Sequence, residues 1–409
     1  MNQDPASKPL RLATACMKAK TPLFPIASLL ALLAILPGLL DTQAANARKE
    51  QLPRFDRVLQ IEDSSETSAN VEFGDINRDG HPDLILAKGR HWPLVNRVVL
   101  GDGKGGILKS YDLGSESNRT YSGRLVDLDN DGDLDVVVSN DNPDRNLIHL
   151  NDGNGHFRTD STFGDPDWST RYVCVTDLNN DGLPDIVVAN RNSRRKTDSY
   201  ICLNIGNGRF SDQSIPFSSG SSTTISAADF NDDGLMDLAV PYRDGGQSYV
   251  YFQTKTNGLE FDRVPFGPAD ASIRTSQAGD FDGDGKMDLV TIDTKRGASL
   301  YFQKADNAFA TGKPIGKRSS RPYALAVSDL NRDGAIDVIV GHVKAPSVIH
   351  FNKGSGQSFT ALKFGDNRGV VYGFATGDFD MDGQLDIAAA RSDAPNSLYF
   401  GSLPTKTNP

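Results

Sequence analysis

Asp75-Ile-Asn-Arg-Asp-Gly-His-Pro-Asp83 places oxygen-bearing side chains at positions 1, 3, 5 and 9 and a glycine at position 6. The same pattern, D-x-[DN]-x-D-G-x-x-D, starts again at Asp127, Asp177, Asp229, Asp280, Asp329 and Asp378, at intervals of 52, 50, 52, 51, 49 and 49 residues. So even a spacing marks one structural unit repeated seven times. Position 9 opens a β-rich run in each copy, for example Asp135-Val-Val-Val-Ser and Asp337-Val-Ile-Val-Gly, so the loop is expected inside a β-hairpin.

Alternating carboxylates converge only where the chain turns tightly, and glycine at position 6 supplies the positive φ such a turn needs. A hard cation at the centre is the expected reason. Calcium takes six to eight oxygens, which suits side chains 1, 3, 5 and 9 with the carbonyl of position 7. The expected ligand sets are Asp75, Asn77, Asp79 and Asp83; Asp127, Asp129, Asp131 and Asp135; Asp177, Asn179, Asp181 and Asp185; and Asp229, Asn231, Asp233 and Asp237. They continue with Asp280, Asp282, Asp284 and Asp288; Asp329, Asn331, Asp333 and Asp337; and Asp378, Asp380, Asp382 and Asp386. Up to seven Ca²⁺, one per repeat, are expected. An EF-hand needs a glutamate at position 12, where this chain has Leu86, Val138, Val188, Val240, Thr291, Val340 and Ala389.

These loops, with Phe73-Gly74 ahead of the first and Asn151-Asp-Gly-Asn-Gly-His-Phe157 after a third strand, resemble the FG-GAP and VCBS repeats. Those repeats build the ligand-binding propeller of integrin α chains and occur in many secreted bacterial proteins. The resemblance spans roughly residues 51–401 and implies a propeller and calcium, but no particular activity.

Independently, each repeat offers four short strands, the composition of a propeller blade. The last repeat stops after its third strand, Ser397-Leu-Tyr-Phe400, and Pro53-Arg-Phe-Asp-Arg-Val58 resembles the fourth strand of blade 4. The expected fold is therefore all-β: a seven-bladed propeller of four-stranded blades, closed by an N-terminal strand that completes the last blade. Residues 48–409 read as one propeller domain.

Residues 1–47 read as a signal peptide, with Lys18 and Lys20 before an apolar run and Ala45-Asn-Ala47 after it. The alternative is a membrane anchor, because the apolar run is nearly long enough to span. The expected location is secreted or periplasmic, with no membrane span after cleavage, or membrane-anchored if the segment stays. Cys174 and Cys202 fall on the first and third strands of blade 3, too far apart for a disulfide, and read as two buried thiols.

The chain carries a net charge of −10, or −12 without residues 1–47. With no nucleic-acid motif, an acidic chain argues against nucleic acid as a partner. At the end of the propeller opposite the aspartate loops, the sequence gathers Lys88, Arg90, His91, Arg119, Tyr121, Arg171, Arg274, Arg321, Arg368 and Arg391 as ligand-binding candidates. Arginine beside tyrosine suits acidic groups on a stackable ring; the plainer reading pairs these arginines with nearby aspartates. The expected function is a binding module for carbohydrate or a cell-surface protein. A polysaccharide lyase using Tyr323, His342 and Tyr372 is the alternative, and a protein scaffold the second; the oligomeric state stays open.

Overall fold

The valine-rich run after each aspartate loop becomes the second strand of a four-stranded antiparallel sheet. In blade 2 that strand is Asp135–Asn140, and all six of its residues are buried. Side chains on both faces are covered because each blade is sandwiched between two others, so the run is continuously apolar where a half-exposed strand would alternate. Val136 and Val138 pack with Ile76, Ile85 and Val98 of blade 1, and Val137 packs with Val173 and Ile186 of blade 3. The core is thus a set of inter-blade layers arranged around an axis.

This arrangement comes from a computed structural model that describes residues 52–191, 198–255, 259–316 and 321–404. The expected signal segment, residues 1–47, lies outside the described residues. Among the described residues no helix is long and apolar enough to cross a membrane. Cys174 and Cys202 are free; Cys202 is buried, whereas Cys174 is only half-buried, because its strand lines the axis.

Seven four-stranded sheets form the propeller. The innermost strands are Ser68–Gly74, Thr120–Val126, Thr170–Thr176, Ser226–Ala228, Ile273–Gly279, Pro322–Ser328 and Val370–Gly377. Blade 7 is completed by Arg54–Gln60, which pairs antiparallel with Ser397–Ser402. Val58 faces Tyr399 and Leu59 faces Leu398 in that ladder. The N-terminal strand closes the ring.

A polar clamp recurs at the joints. A residue at or near the end of the third strand donates its backbone N–H to the position 9 carboxylate of its own blade, as Asn151 does to Asp135 and Asn352 to Asp337. Its side-chain amide reaches the position 2 carbonyl of the preceding blade: Asn151 to Ile76, Asn204 to Leu128, Gln253 to Leu178, Gln303 to Phe230 and Asn352 to Phe281. In blades 1 and 7 this residue is Gly101 or Gly401, so the two joints of the closing blade lack the clamp. At Gly101 a Cβ would meet the ring of Phe379 at 2.9 Å, so an aromatic contact fills that joint. Asn352→Ala is expected to cost about 1–3 kcal/mol, because it leaves the buried Phe281 carbonyl unsatisfied; chemical denaturation measures it, and a neutral result would show the clamp is dispensable.

Candidate functional site

Two ends of the channel carry opposite chemistry. At one end lie the seven aspartate loops. Glycine at position 6 has φ between 83° and 89° in all seven, at Gly80, Gly132, Gly182, Gly234, Gly285, Gly334 and Gly383. Position 4 is also left-handed throughout, at Arg78, Asn130, Asn180, Asp232, Gly283, Arg332 and Met381. The pattern did not reveal this second special position, since only one of the seven residues there is glycine.

The loops are organised by their own carboxylates. In loop 1 the Asp75 carboxylate accepts the N–H groups of Asp79 and Gly80, at 3.1 Å each. The position 9 carboxylates are buried, and each accepts two backbone N–H groups; Asp83 takes those of Ile76 and Gly101, at 2.9 and 2.8 Å. One N–H per oxygen leaves a lone pair on each. Position 9 therefore pins the hairpin and still offers a ligand.

The loops fall into two kinds by position 3. Where it is aspartate, carboxylate oxygens of Asp127, Asp129 and Asp135 lie within 4.8 Å of one another, and the same holds for Asp280, Asp282 and Asp288 and for Asp378, Asp380 and Asp386. Oδ1 of Asp127, Asp129 and Asp380 is buried without a hydrogen-bond partner. Such clusters can hold a metal ion, and their oxygen-only chemistry fits a hard cation. Where position 3 is asparagine, its amide donates to the position 5 carboxylate, at 2.9 Å for Asn77, Asn179 and Asn231 and 2.8 Å for Asn331. Those four loops replace one like-charge repulsion with a hydrogen bond. Cations also reach two loops from outside them: Arg78 of loop 1 pairs with Asp133 of loop 2 at 2.5 Å, and Arg57 of the N-terminal strand pairs with Asp380 of loop 7 at 2.7 Å.

The other end begins about 20 Å away, one inner strand's length. Here a cavity of about 400 Å³ runs into the channel. Tyr121, Arg171, Arg274, Tyr323 and Tyr372 come from the starts of inner strands, while Arg90 and Arg191 follow second strands. The Arg274 guanidinium lies 3.4 Å from the Tyr323 ring centroid and that of Arg90 lies 3.6 Å from Tyr372. The two tyrosine rings meet edge to face at 5.1 Å, so all four side chains form one cluster. Burial, with Arg90 and Arg243 nearby, pushes Arg274 down to about 9 despite the opposing pull of Tyr323. Burial also raises the Tyr323 phenol, but Arg274, Arg90 and Arg243 outweigh it and hold the group below its ordinary value.

Several expected ligand groups are held elsewhere. Lys88 is buried against Glu62 and Glu66, at 2.7 and 2.9 Å. Arg119 bonds Asp144 through both backbone and side chain. Arg391 pairs with Asp366 and donates to the Arg368 carbonyl, beside a separate groove between blades 6 and 7. His342 is buried, with Nδ1 3.0 Å from the Pro346 carbonyl, so it does not join Tyr323 and Tyr372. Arg321 and Arg368 are exposed outside the cavity, and His91 touches its rim through the Tyr121 hydroxyl at 3.2 Å. Arg171 stays in the cavity but pairs with Asp141 at 2.6 Å, as Arg191 pairs with Asp244 at 2.7 Å.

Glu72, Arg124 and Gln277 also line the channel, and sequence reasoning missed them. Glu72 and Arg124 form an ion pair at 3.3 Å. Polar residues at alternate positions of an otherwise apolar first strand were the available signal.

A family model described as an FG-GAP-like repeat matches residues 75–138, 127–188, 177–240, 229–291, 280–340 and 329–389. The chain belongs to the FG-GAP-like repeat family. Each matched FG-GAP-like unit runs from one aspartate loop to the strand after the next, which is why seven loops give six matches. No curated protein matches this FG-GAP-like chain by sequence. Among solved structures, BBS1N in complex with ARL6DN is similar at a TM-score of 0.60 and 12% identity for the lead-soaked crystal, covering 87% of this chain and 98% of that one. The mercury-soaked crystal gives 0.56 and 12%, over 88% and 99%. The Dos1 propeller gives 0.52 and 10%, over 82% and 77%. Likeness at this identity concerns the fold alone.

Proposed function

We propose that this FG-GAP-like propeller is a secreted, calcium-stabilised binding module for an acidic carbohydrate or a cell-surface partner. Calcium would be held by side chains 1, 3, 5 and 9 and the position 7 carbonyl, where it neutralises clustered carboxylates. The observation that carries the reading is the cation-rich, tyrosine-lined mouth at the end opposite those loops. Arginine stacked on tyrosine presents charge and an aromatic face together, the combination an acidic sugar uses. Trp92, which is 72% exposed next to His91, adds a platform for a sugar ring.

Two other readings have some support. The lowered Tyr323 phenol beside Arg274 is what a lyase would need to move a proton next to a carboxylate. BBS1N, to which this chain is similar in fold, was crystallised in complex with ARL6DN, and a scaffold of this shape would likewise take a protein partner. The test is a screen of the calcium-loaded mature protein against acidic and neutral polysaccharides, following affinity and the ultraviolet absorbance of unsaturated products. Binding to acidic polymers without absorbance growth is the expected result. Growth that Tyr323→Phe abolishes would replace the binding reading with a lyase, and no polysaccharide binding at all would favour the scaffold.

A further inference from the structure

The cluster at the channel mouth is electrostatically incomplete. Arg90 is only 8% exposed and has no carboxylate partner among the described residues. Its guanidinium stands over Tyr372 and, at 5.1 Å, over Tyr121. Arg274 donates Nε to the Tyr323 carbonyl at 2.9 Å and likewise has no carboxylate. Nε of Arg243 is buried with no hydrogen-bond partner. The other arginines lining the cavity are matched, Arg124 by Glu72, Arg171 by Asp141 and Arg191 by Asp244. Three guanidinium groups held together and partly desolvated repel one another, and an unpaired buried charge is costly. An arrangement of this kind is relieved by an anion.

The size of the space limits that anion. A cavity of about 400 Å³ sits near the lower end of the roughly 300–1,000 Å³ range of small-molecule sites. It admits a small acid or the end of a chain, whereas a polymer lying across the face would leave Arg90 out of reach. The Arg90 and Arg274 guanidinium groups are each stacked on a tyrosine ring, which leaves the in-plane N–H groups not already bonded as the ligand contact. A planar carboxylate matches a pair of such groups with two parallel hydrogen bonds.

Resting on the reading of the mouth as the binding face, we infer that Arg90 and Arg274, with Arg243 behind them, form a receptor for one carboxylate, carried by a small molecule or by the terminal residue of an acidic glycan. Tyr121, Tyr323 and Tyr372 supply the apolar walls and phenolic donors around it. The acid enters end-on along the channel axis and takes the place of the missing counter-charge.

The inference is tested on the calcium-loaded protein by thermal shift and calorimetric titration with free glucuronate, short oligogalacturonates, glucose, phosphate and sulfate. Glucuronate is expected to bind one per chain and raise the melting temperature, with glucose inert. Arg90→Met and Arg274→Met are each expected to weaken it by at least about tenfold, the loss of a charged hydrogen-bond partner. Arg274→Met is also expected to melt higher than the parent without ligand, because it removes a repelling charge, while Lys109→Met on an outer strand changes neither property. Binding of oligogalacturonates at least as tight as glucuronate identifies a glycan end as the source, and preference for glucuronate identifies a free small acid. The wild-type titration stands alone if a variant does not fold. No response to any carboxylate, equal response to phosphate and sulfate, or undiminished affinity in both arginine variants overturns the inference. A protein that still binds long acidic polymers in that case keeps the broader binding function and loses only this receptor.

Discussion

Chelation of calcium at neutral pH is expected to lower the melting temperature of the propeller by on the order of 10 °C. A site filled to about 100 times its Kd contributes about 2.7 kcal/mol, so a few occupied loops amount to a large part of a typical net stability of about 5–15 kcal/mol. The pH dependence carries a definite sign. Burial raises the position 9 carboxyls from 3.8, to about 6 at Asp83, Asp185 and Asp237 and to about 7 at Asp135, Asp288, Asp337 and Asp386. A carboxyl with a raised folded pKa holds its proton more tightly in the fold, so its contribution to metal-free stability is complete below about pH 4 and is lost as the pH rises toward 6–7. A cation needs the anionic carboxylate, so its increment runs the other way, small near pH 4 and largest above pH 7. Melting curves with calcium and with EDTA across that window measure both trends. Coincident curves at pH 7.5 would mean that the loops stand on their internal hydrogen bonds alone.

Phe55→Ala is expected to cost about 3–4 kcal/mol, the loss for a large side chain deleted from a core, while Val58→Ala on the same strand stays within about 0.5 kcal/mol. Phe55 is 4% exposed and Val58 is 50% exposed. Phe55 packs its ring 6.0 Å from Phe364 of blade 6, joining the layer that contains Ile339, Phe374 and Tyr399. The closing blade has no amide clamp at either joint, so this apolar layer and the strand ladder carry the closure. Arg57 adds a tie to Asp380 in loop 7 and lies 3.7 Å over the Phe400 ring. Denaturant titration of both variants checks the prediction, and equal losses at the two positions would mean that the ladder, not the layer, closes the ring.

Much of this was legible beforehand because it is local. Seven loops spaced about 50 residues apart fix the number of blades, and the missing fourth strand after Phe400 points to Arg54–Gln60 as its replacement. The clamp residues Asn151, Asn204, Gln253, Gln303 and Asn352 stand at equivalent positions but were not recognised, since an amide near the end of a strand has no meaning until the neighbouring blade's carbonyl is beside it. The left-handed residue at position 4 was hidden for the opposite reason: residue types as different as Arg78, Asp232 and Met381 are forced into one conformation by the loop around them.

The channel mouth divides along the same line. Sequence placed Arg90, Tyr121, Arg171, Arg274, Tyr323 and Tyr372 at one end of the molecule, because strand direction and the position of the aspartate loops fix which end a residue occupies. It also placed Lys88, Arg119, Arg391 and His342 there, and the folded chain turns these to other partners. Glu62 and Glu66 take Lys88, and Asp366 takes Arg391 across 25 residues. Composition and spacing by themselves determined the repeat, the fold, the oxygen-rich loops and the sign of charge at each end, since each follows from short-range stereochemistry and strand direction. Only the tertiary structure decided which arginines meet a carboxylate and which are left facing the channel, because that choice depends on side chains brought together from different blades.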